Sequence, residues 1–264
     1  IDEWRRHLDA TPNLDIFQDT VNQLIIENRE DALPRVTGIV TSLGVKFSAK
    51  KVILTAGTFL NGLMHFGETR IPGGRISEQA SYGLTEQLVK LGFTTDRMKT
   101  GTPVRIDGRS IDYSKTEAQQ GDDKVAETLD GTLLVERDFH KFSFVPESHR
   151  TLRPRDCYIV YTNPESHSIL RENLNRSPMY NGQIHSIGPR YCPSIETKIV
   201  TFPDKENHQL FLEPEGETTQ EFYVNGFSSS LPWDVQIESL QQIEALRDVQ
   251  VYRPGYAIEY DFFD

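Results

Sequence analysis

The sequence predicts a mixed α/β protein in which short strands lead into a sheet covered by helices. Three observations predict this class. Short strand-like segments form a meander over residues 14–58, which ends on the apolar run VILT at 52–55. Leu84, Leu88 and Leu91 then recur at helical spacing. Strand-like runs such as CYIVY at 157–161 alternate with helical segments over the rest of the chain.

The composition limits the possible functions. The chain has 264 residues, of which 37% are hydrophobic, enough for one large domain or two smaller ones. A formal charge of −11 argues against a general nucleic-acid coat but leaves room for one basic face. Two cysteines form no disulfide framework, and the seven histidines show no metal-ligand spacing. We expect an intracellular protein without a metal centre or a membrane span.

Local patterns predict the individual elements. Helices are predicted over residues 1–8, 78–91, 164–174 and 234–246. Strands are predicted over residues 15–17, 19–27, 35–42, 45–48, 52–55, 157–161, 183–187, 198–202, 209–212, 222–224, 249–252 and 256–262. Residues 35–42 and 45–48 would form a hairpin across Leu43 and Gly44, and residues 209–212 would pair with 222–224. Ser81 would lie in the first turn of its helix, where it either caps the helix or meets an anionic ligand.

The meander ends at Ala56 and Gly57, which directly follow the apolar run. Glycine at this place allows a ligand to approach the backbone closely. Such a meander is typical of two-dinucleotide flavoproteins, although an ordinary meander with a glycine turn fits as well. The sequence has neither GxGxxG nor GxxxxGK[ST], so it does not itself contain a phosphate-binding loop.

A segment at residues 188–202 is the strongest candidate site. It begins with a Gly-Pro turn, holds Cys192 between two prolines, and ends in β-branched residues. Arg190 lies two residues before the cysteine. The thiol is either a nucleophile or a small buried residue at a loop-to-strand junction.

A second candidate lies in residues 137–155, where basic side chains alternate with three phenylalanines. This mixture either grips phosphates and stacks bases, or forms a solvated edge over an apolar cluster. Arg150, Arg153 and Arg155 are the candidate nucleic-acid contacts.

Several motifs together resemble the glucose-inhibited division protein A family. They are GPRYCPSIE at 188–196, LTAGTFL at 54–60, KTGTP at 99–103, NRSPMY at 175–180, FLEPEG at 211–216, SLP at 230–232 and RPGYAIEYD at 253–261. The resemblance implies a cytoplasmic, FAD-dependent homodimer that works with a partner GTPase, MnmE, in a heterotetramer. Its implied reaction adds an aminomethyl or carboxymethylaminomethyl group to C5 of wobble uridine U34 in tRNA. Methylenetetrahydrofolate would donate the one-carbon unit, and NADH would reduce the flavin.

The resemblance also implies roles for individual residues. Val21 and Ser81 match FAD contacts, Ala56 and Gly57 would lie close to the FAD, and Cys192 matches a catalytic cysteine that would attack C6 of uracil. The segment assigned to the nicotinamide dinucleotide comprises Gly188, Pro189, Arg190, Tyr191, Cys192, Pro193, Ser194, Ile195, Glu196, Thr197, Lys198, Ile199, Val200, Thr201 and Phe202.

The implied fold is an incomplete two-dinucleotide FAD-binding domain, like that of glutathione reductase, with an inserted α+β domain. Residues 1–93 and 247–264 would form the first and residues 94–246 the second. The family's phosphate loop would precede residue 1, so we expect this chain alone to bind FAD weakly or not at all and to be inactive. Two alternatives remain: a non-catalytic module that binds tRNA or a partner, and a flavin oxidoreductase of a small metabolite.

Overall fold

The structure is a computed structural model that describes residues 2–30, 32–120, 126–127, 133–134, 155–186, 188 and 193–263. Six of the candidate site residues lie outside these ranges: Arg150, Arg153, Pro189, Arg190, Tyr191 and Cys192.

The described part of the chain forms five α-helices and fourteen strands. The helices are α1 (Asp2–Ala10), α2 (Leu84–Lys90), α3 (Pro164–Glu172), α4 (Ile195–Thr201) and α5 (Trp233–Gln241). The strands are β1 (Val21–Arg29), β2 (Ala32–Thr41), β3 (Lys46–Ser48), β4 (Leu63–Phe66), β5 (Thr69–Pro72), β6 (Thr95–Asp107), β7 (Glu117–Gln119), β8 (Ala126–Glu127), β9 (Leu133–Leu134), β10 (Cys157–Tyr161), β11 (Gln209–Pro214), β12 (Glu221–Ser228), β13 (Val251–Arg253) and β14 (Tyr256–Phe263).

Most strands belong to one antiparallel sheet in the order β5-β4-β14-β6-β12-β11-β10-β7, with β13 also paired to β6. The long strand β6 pairs with β14 over its first eight residues and with β12 and β13 over its second half. It therefore lies in the middle of the sheet and joins its two halves. The predicted mixed α/β class is confirmed, and so is the predicted pairing of residues 209–212 with 222–224.

A separate three-stranded sheet, β1-β2-β3, forms the middle of the predicted meander, whereas its predicted first and last strands do not form. The β2–β3 hairpin turns at Leu43 and Gly44, as the sequence predicts, and Gly44 has a φ of +80° that glycine adopts without strain.

The main core lies between the β6–β12–β11–β10 part of the sheet and helices α3, α4 and α5. Ile106, Leu212 and Phe222 from the strands and Leu240 from α5 are all at most 1% exposed. Burying each such side chain contributes about 1.5–3 kcal/mol. A smaller cluster of Met64, Tyr256 and Ile258 lies on β4 and β14.

The predicted strand at 198–202 is wrong, because these residues belong mainly to helix α4. Ser194 caps this helix, and its Oγ accepts a hydrogen bond from the main-chain N–H of Thr197 at 3.3 Å. Ile195 and Ile199 lie one helical turn apart and both face the core. The cap and the helical spacing of the apolar residues thus outweigh the β propensity of Ile199, Val200 and Thr201.

The helix predicted over 78–91 begins only at Leu84, after Gly83 with a φ of +96°. Ser81 therefore does not lie in the first turn of a helix. It forms a parallel β-bridge with Leu60 instead. The left-handed conformation of Gly83 separates this bridge from α2 and sets the start of the helix.

Three predicted strands are also wrong. Residues 15–17, 52–55 and 183–186 are described but form no strand. Ile53 is 88% exposed, so the VILT run is apolar without being buried. The helix predicted over 234–246 ends at Gln241 and is followed by a separate 3-10 turn at Glu244–Leu246.

Candidate functional site

An apolar cavity of about 720 Å³ lies between the meander, helix α2 and the end of β14. Its lining includes Leu24 of β1, Leu88 of α2 and Phe262 of β14. The candidate residues Ala56 and Gly57 form part of its wall. Gly57 has a φ of +53°, and a Cβ added there would meet only the Phe59 ring, at 3.9 Å. The main chain at this point is therefore open to close approach by a ligand.

The other two candidate FAD contacts, Val21 and Ser81, touch each other. The Ser81 hydroxyl donates a hydrogen bond to the main-chain carbonyl of Val21 at 3.1 Å. Nearby, the Gln87 side chain makes two hydrogen bonds of 2.7 Å to the main chain of Leu24. These contacts hold α2 and the residues before it against β1. Leu60, which bridges to Ser81, also lines the cavity. The four candidate FAD contacts, Val21, Ala56, Gly57 and Ser81, therefore lie in or beside the wall of this cavity.

The cavity fits the apolar part of a flavin better than its phosphates. Among the residues that the structure describes, Asp261 is the charged residue of the lining, which includes no lysine or arginine. The Asp261 carboxylate is 8% exposed and accepts hydrogen bonds from Arg97 Nη1 at 2.7 Å and Asn61 Nδ2 at 2.6 Å. An anionic pyrophosphate would find no positive side chain within this lining, although the aliphatic walls suit a ring system.

Cys192 lies outside the described residues, but the chain on both sides of it is described. Gly188 lies against the main chain of Lys99 on β6, where an added Cβ would be 3.6 Å from the Lys99 carbonyl oxygen. Ser194 lines a polar cavity of about 10 Å³ together with Lys99, Tyr256 and residues 228–230. This cavity has room for about one water molecule. The residues flanking Cys192 on both sides therefore lie beside β6.

A cleft of about 170 Å³ borders the same strands. It shares Gly101 and Tyr256 with the polar cavity and is lined by Arg75, Arg105 and Arg253. Each of these guanidinium groups forms an ion pair with a glutamate. Paired guanidinium groups are held in place yet keep further N–H donors, so the cleft can bind a polar or anionic substrate.

Helix α4 forms the second half of the segment that the resemblance assigns to a nicotinamide dinucleotide, and its side chains differ in exposure. Ile195, Glu196 and Ile199 are at most 1% exposed, so their side chains are closed off from a cofactor by the core. Val200 and Phe202 are 45% and 56% exposed, and Thr201 between them is also exposed, so this end of the helix is open to a ligand.

Lys198, on the same helix, is held inside the fold. Its Nζ donates a hydrogen bond to the main-chain carbonyl of Gly226 at 2.9 Å. Burial lowers the pKa of this ammonium group, and repulsion from Lys205 lowers it further.

Arg155 is the described member of the predicted nucleic-acid contacts, and it is engaged within the fold. Its Nη1 donates hydrogen bonds to the main-chain carbonyls of Gly216 and Thr219, both at 2.6 Å. The guanidinium also lies over the Phe222 ring, 5.2 Å from its centroid. These contacts hold the turn between β11 and β12, so nucleic-acid binding by Arg155 stays a prediction.

The structure also contains a buried chain of polar side chains that the sequence does not predict. His65 of β4 contacts Glu259 of β14 through Nε2 and Oε2 at 2.8 Å, and Ser186 donates to the other Glu259 oxygen at 2.8 Å. Glu259 lies within the RPGYAIEYD motif, but no sequence pattern connects it to a histidine 194 residues away.

The other cysteine, Cys157, begins strand β10 as predicted and is half-buried. Burial raises the pKa of its thiol, and the nearby carboxylates of Glu213 and Asp156 raise it further. Cys157 therefore has less thiolate character than an exposed cysteine. Within the described ranges there is no cluster of His, Cys, Asp or Glu suited to a metal ion, and no helix long and apolar enough to cross a membrane.

Comparison with known proteins identifies the family. The model of the family described as "Glucose inhibited division protein A" matches residues 2–264. The chain is 61% identical over 264 residues to the tRNA uridine 5-carboxymethylaminomethyl modification enzyme MnmG of Porphyromonas gingivalis W83, and covers 39% of that protein. It is 53% identical over 262 residues to the protein of the same name from Flavobacterium johnsoniae.

The fold agrees with a solved structure of this family. The structure of Aquifex aeolicus GidA in its form I crystal matches 99% of this chain and 41% of that one, with a TM-score of 0.82 and 43% sequence identity. The chain thus spans about two fifths of the length of the relatives that it matches. Because one family model covers nearly every residue and the fold agrees, the chain belongs to the glucose inhibited division protein A family.

Proposed function

We propose that this chain is the central part of an FAD-dependent enzyme that modifies C5 of wobble uridine in tRNA. The modification is the addition of an aminomethyl or carboxymethylaminomethyl group. The observation that carries the proposal is 61% identity, along the whole chain, to an enzyme named for this modification. The match extends over all 264 residues, so it covers the segments that carry every candidate site.

The cofactor assignment is supported by the cavity beside Ala56 and Gly57 and by the nearby Val21–Ser81 contact. FAD would supply the electron transfer of the reaction, with NADH as its reductant. The residues of this chain would hold the apolar part of the flavin and exclude water from it. The phosphates would need donors outside the cavity lining, which accords with the expectation that this chain alone binds FAD weakly.

In this proposal Cys192 acts on the substrate base. Its thiolate adds to C6 of uracil, which forms an S–C6 bond and shifts the C5=C6 electron pair to C5. C5 attacks the methylene carbon of methylenetetrahydrofolate in its iminium form, and the C=N electron pair returns to the folate nitrogen. Loss of the C5 proton then expels tetrahydrofolate and leaves an exocyclic methylene group on C5. The nitrogen of ammonia or glycine adds to this methylene group and loses a proton, and departure of the thiolate from C6 restores the C5=C6 double bond. The cleft lined by Arg75, Arg105 and Arg253 is next to the strands that flank this segment and offers donors for a polynucleotide.

The proposed assembly is a homodimer that joins the GTPase MnmE in a heterotetramer, with tRNA as the further partner. The modification takes place in the cytoplasm. These assignments rest on the family.

The proposal is tested with the full-length gene product. The purified protein should show flavin absorption. With MnmE, GTP, NADH, methylenetetrahydrofolate and either ammonia or glycine, it should add mass to the wobble nucleoside of unmodified tRNA, read by mass spectrometry of digested RNA. A protein that carries flavin but leaves tRNA unmodified, while oxidising NADH with a small metabolite, would contradict it. A protein without flavin that binds tRNA would contradict it as well.

A further inference from the structure

We propose that the cleft lined by Arg105, Arg253 and Tyr256 binds the carboxylate of glycine, as the nucleophile that gives the carboxymethylaminomethyl product. The inference deepens the function proposed above and rests on it. The relatives are named for a carboxymethylaminomethyl group, in which one nitrogen carries a methylene group and a carboxylate. Glycine supplies these atoms together, whereas ammonia leaves an aminomethyl group without a carboxylate. An enzyme that uses glycine therefore needs donors that recognise its carboxylate.

The most enclosed donor of the cleft is the hydroxyl of Tyr256, a residue that is 6% exposed. Its oxygen accepts a hydrogen bond from the main-chain N–H of Ile76 at 3.2 Å. It donates to no residue within the described part of the chain. A buried hydroxyl that only accepts leaves its proton without a partner, which is unfavourable. The Tyr256 proton is therefore available to an acceptor oxygen in the cleft.

Arg105 is a second donor with a fixed position. Its Nε donates to Glu215 Oε1 at 2.9 Å and its Nη1 to the main-chain carbonyl of Pro103 at 2.9 Å. The guanidinium also lies over the Tyr223 ring, 4.3 Å from the centroid. These contacts leave Nη2 without a hydrogen bond to any described residue. Because the side chain is already ordered, binding an anion costs it little entropy.

Arg253 adds donors on the other side of the cleft. It pairs with Glu221 through Nη2, and among the described residues its Nε and Nη1 make no hydrogen bond. The third guanidinium group, that of Arg75, is 62% exposed and so borders the mouth of the cleft. The exposed mouth can meet a phosphodiester of the tRNA, while the more enclosed end has the donors for a small carboxylate.

The size and polarity of the cleft favour the anionic end of an amino acid. Its volume is about 170 Å³, whereas sites for drug-sized ligands usually have about 300–1,000 Å³. A small anion therefore fits better than a nucleotide. Of the residues described, those that line the cleft include three arginines and neither aspartate nor glutamate. The amino end of glycine would thus find no carboxylate partner in the lining and stays free to react as a neutral amine.

The cleft adjoins the cavity assigned to the flavin. Thr58 lines the cleft and directly follows Gly57 of the cavity wall. Along β14, Tyr256 and Ile258 border the cleft, and Tyr260 borders the cavity. Glycine held in the cleft is therefore close to the region where the flavin and the base would meet. Its nitrogen lone pair forms the bond to the exocyclic methylene group on C5, the nitrogen loses a proton, and the thiolate leaves C6, while the carboxylate remains unchanged.

The experiment uses the full-length protein with its flavin, MnmE, GTP, NADH and methylenetetrahydrofolate. The nitrogen donor is glycine, ammonium or methylamine, which is an amine without a carboxylate. Tyr256→Phe and Arg253→Gln are compared with Arg176→Gln. Arg176 is a matched control because it pairs with Asp234 at 2.9 Å, is 33% exposed and does not line the cleft. The readouts are the KM for each donor, the product mass, and saturation-transfer NMR of glycine, which needs no turnover.

We expect the wild type to prefer glycine to methylamine and to give an NMR signal for bound glycine. Tyr256→Phe and Arg253→Gln should each raise the KM for glycine at least about tenfold, because each removes a hydrogen bond to a charged group. Both should weaken the NMR signal. The reactions with ammonium and methylamine should change by at most about twofold, which shows that the variants fold. Arg176→Gln should behave as the wild type.

Equal losses with glycine and ammonium would overturn the inference. If they come with a raised KM for tRNA or for methylenetetrahydrofolate, the cleft binds a phosphodiester or a folate carboxylate instead. A wild type that uses ammonium but not glycine, or that gives no NMR signal for glycine, would overturn it as well. Failure of the proposed function looks different, because a wild-type protein that binds glycine by NMR but modifies no tRNA with any donor refutes that function alone.

Discussion

Acid should destabilise the part of the fold that holds His208. This residue directly precedes β11 and is 5% exposed. Its main-chain N–H donates to the Thr162 hydroxyl at 2.8 Å, and its ring lies 5.3 Å from that of His167. The ring Nε2 is buried without a hydrogen-bond partner among the described residues. Burial lowers the pKa of His208 to about 4, helped by repulsion from His167, Lys205 and Lys198.

The size of the effect follows from the two pKa values. In the unfolded chain His208 titrates near 6.5, and in the folded chain near 4. Between these values the unfolded state binds a proton that the folded state does not. The stabilisation is therefore fully present above 6.5 and is lost as the pH falls toward 4. Between about pH 7.5 and about pH 5, only the interval of about 1.5 pH units below the unfolded pKa contributes. The free energy of unfolding therefore falls by about 2 kcal/mol.

Amide hydrogen exchange of strand β11 in the full-length protein measures this loss, after correction for the intrinsic exchange rate at each pH. The wild type should lose about 2 kcal/mol of local stability between the two conditions. His208→Gln should lose clearly less because it removes the titrating ring. His185→Gln, which replaces an exposed histidine, should behave as the wild type. An equal loss in the wild type and in His208→Gln would refute the reasoning.

Two further substitutions test the region around the cavity, and a third tests the turn between β4 and β5. Ser81→Ala removes the hydrogen bond to β1. It should lower the free energy of unfolding by about 1 kcal/mol and reduce the flavin absorption of the full-length protein. Unchanged flavin content would contradict the cofactor assignment. Arg97→Met leaves the buried Asp261 carboxylate without its cation. It should cost about 2 kcal/mol in urea unfolding, less than a fully buried pair because Arg97 is one third exposed, and an unchanged midpoint would contradict this. Gly67→Ala should cost about 1–3 kcal/mol, because φ is +57° and the new Cβ would lie 2.3 Å from Cγ of Pro232; an unchanged melting temperature would contradict the strain.

Elements with a clear local pattern could be predicted from the sequence. The β2–β3 hairpin was found from its turn at Leu43 and Gly44, and β10 from the run CYIVY. Helix α4 could not be predicted, because its β-branched residues favour a strand and its helical signal is only the spacing of Ile195 and Ile199. Only the tertiary structure shows that both isoleucines face one core.

The candidate site could be predicted in part. The sequence singled out Ala56 and Gly57, and the structure has both in the cavity wall. It also singled out Val21 and Ser81, but not that they touch, because Gly83 delays the helix and leaves Ser81 in a β-bridge. Contacts between distant residues, such as His65 with Glu259, leave no periodic signal and had to come from the structure.

The most direct test of the account replaces Cys192 by serine in the full-length gene. The wobble uridine is then analysed by mass spectrometry in cells carrying this variant, and the flavin spectrum of the purified protein is recorded. We predict bound flavin with the modification lost. Bound flavin with the modification intact would contradict a catalytic role for Cys192 and leave it as a structural residue.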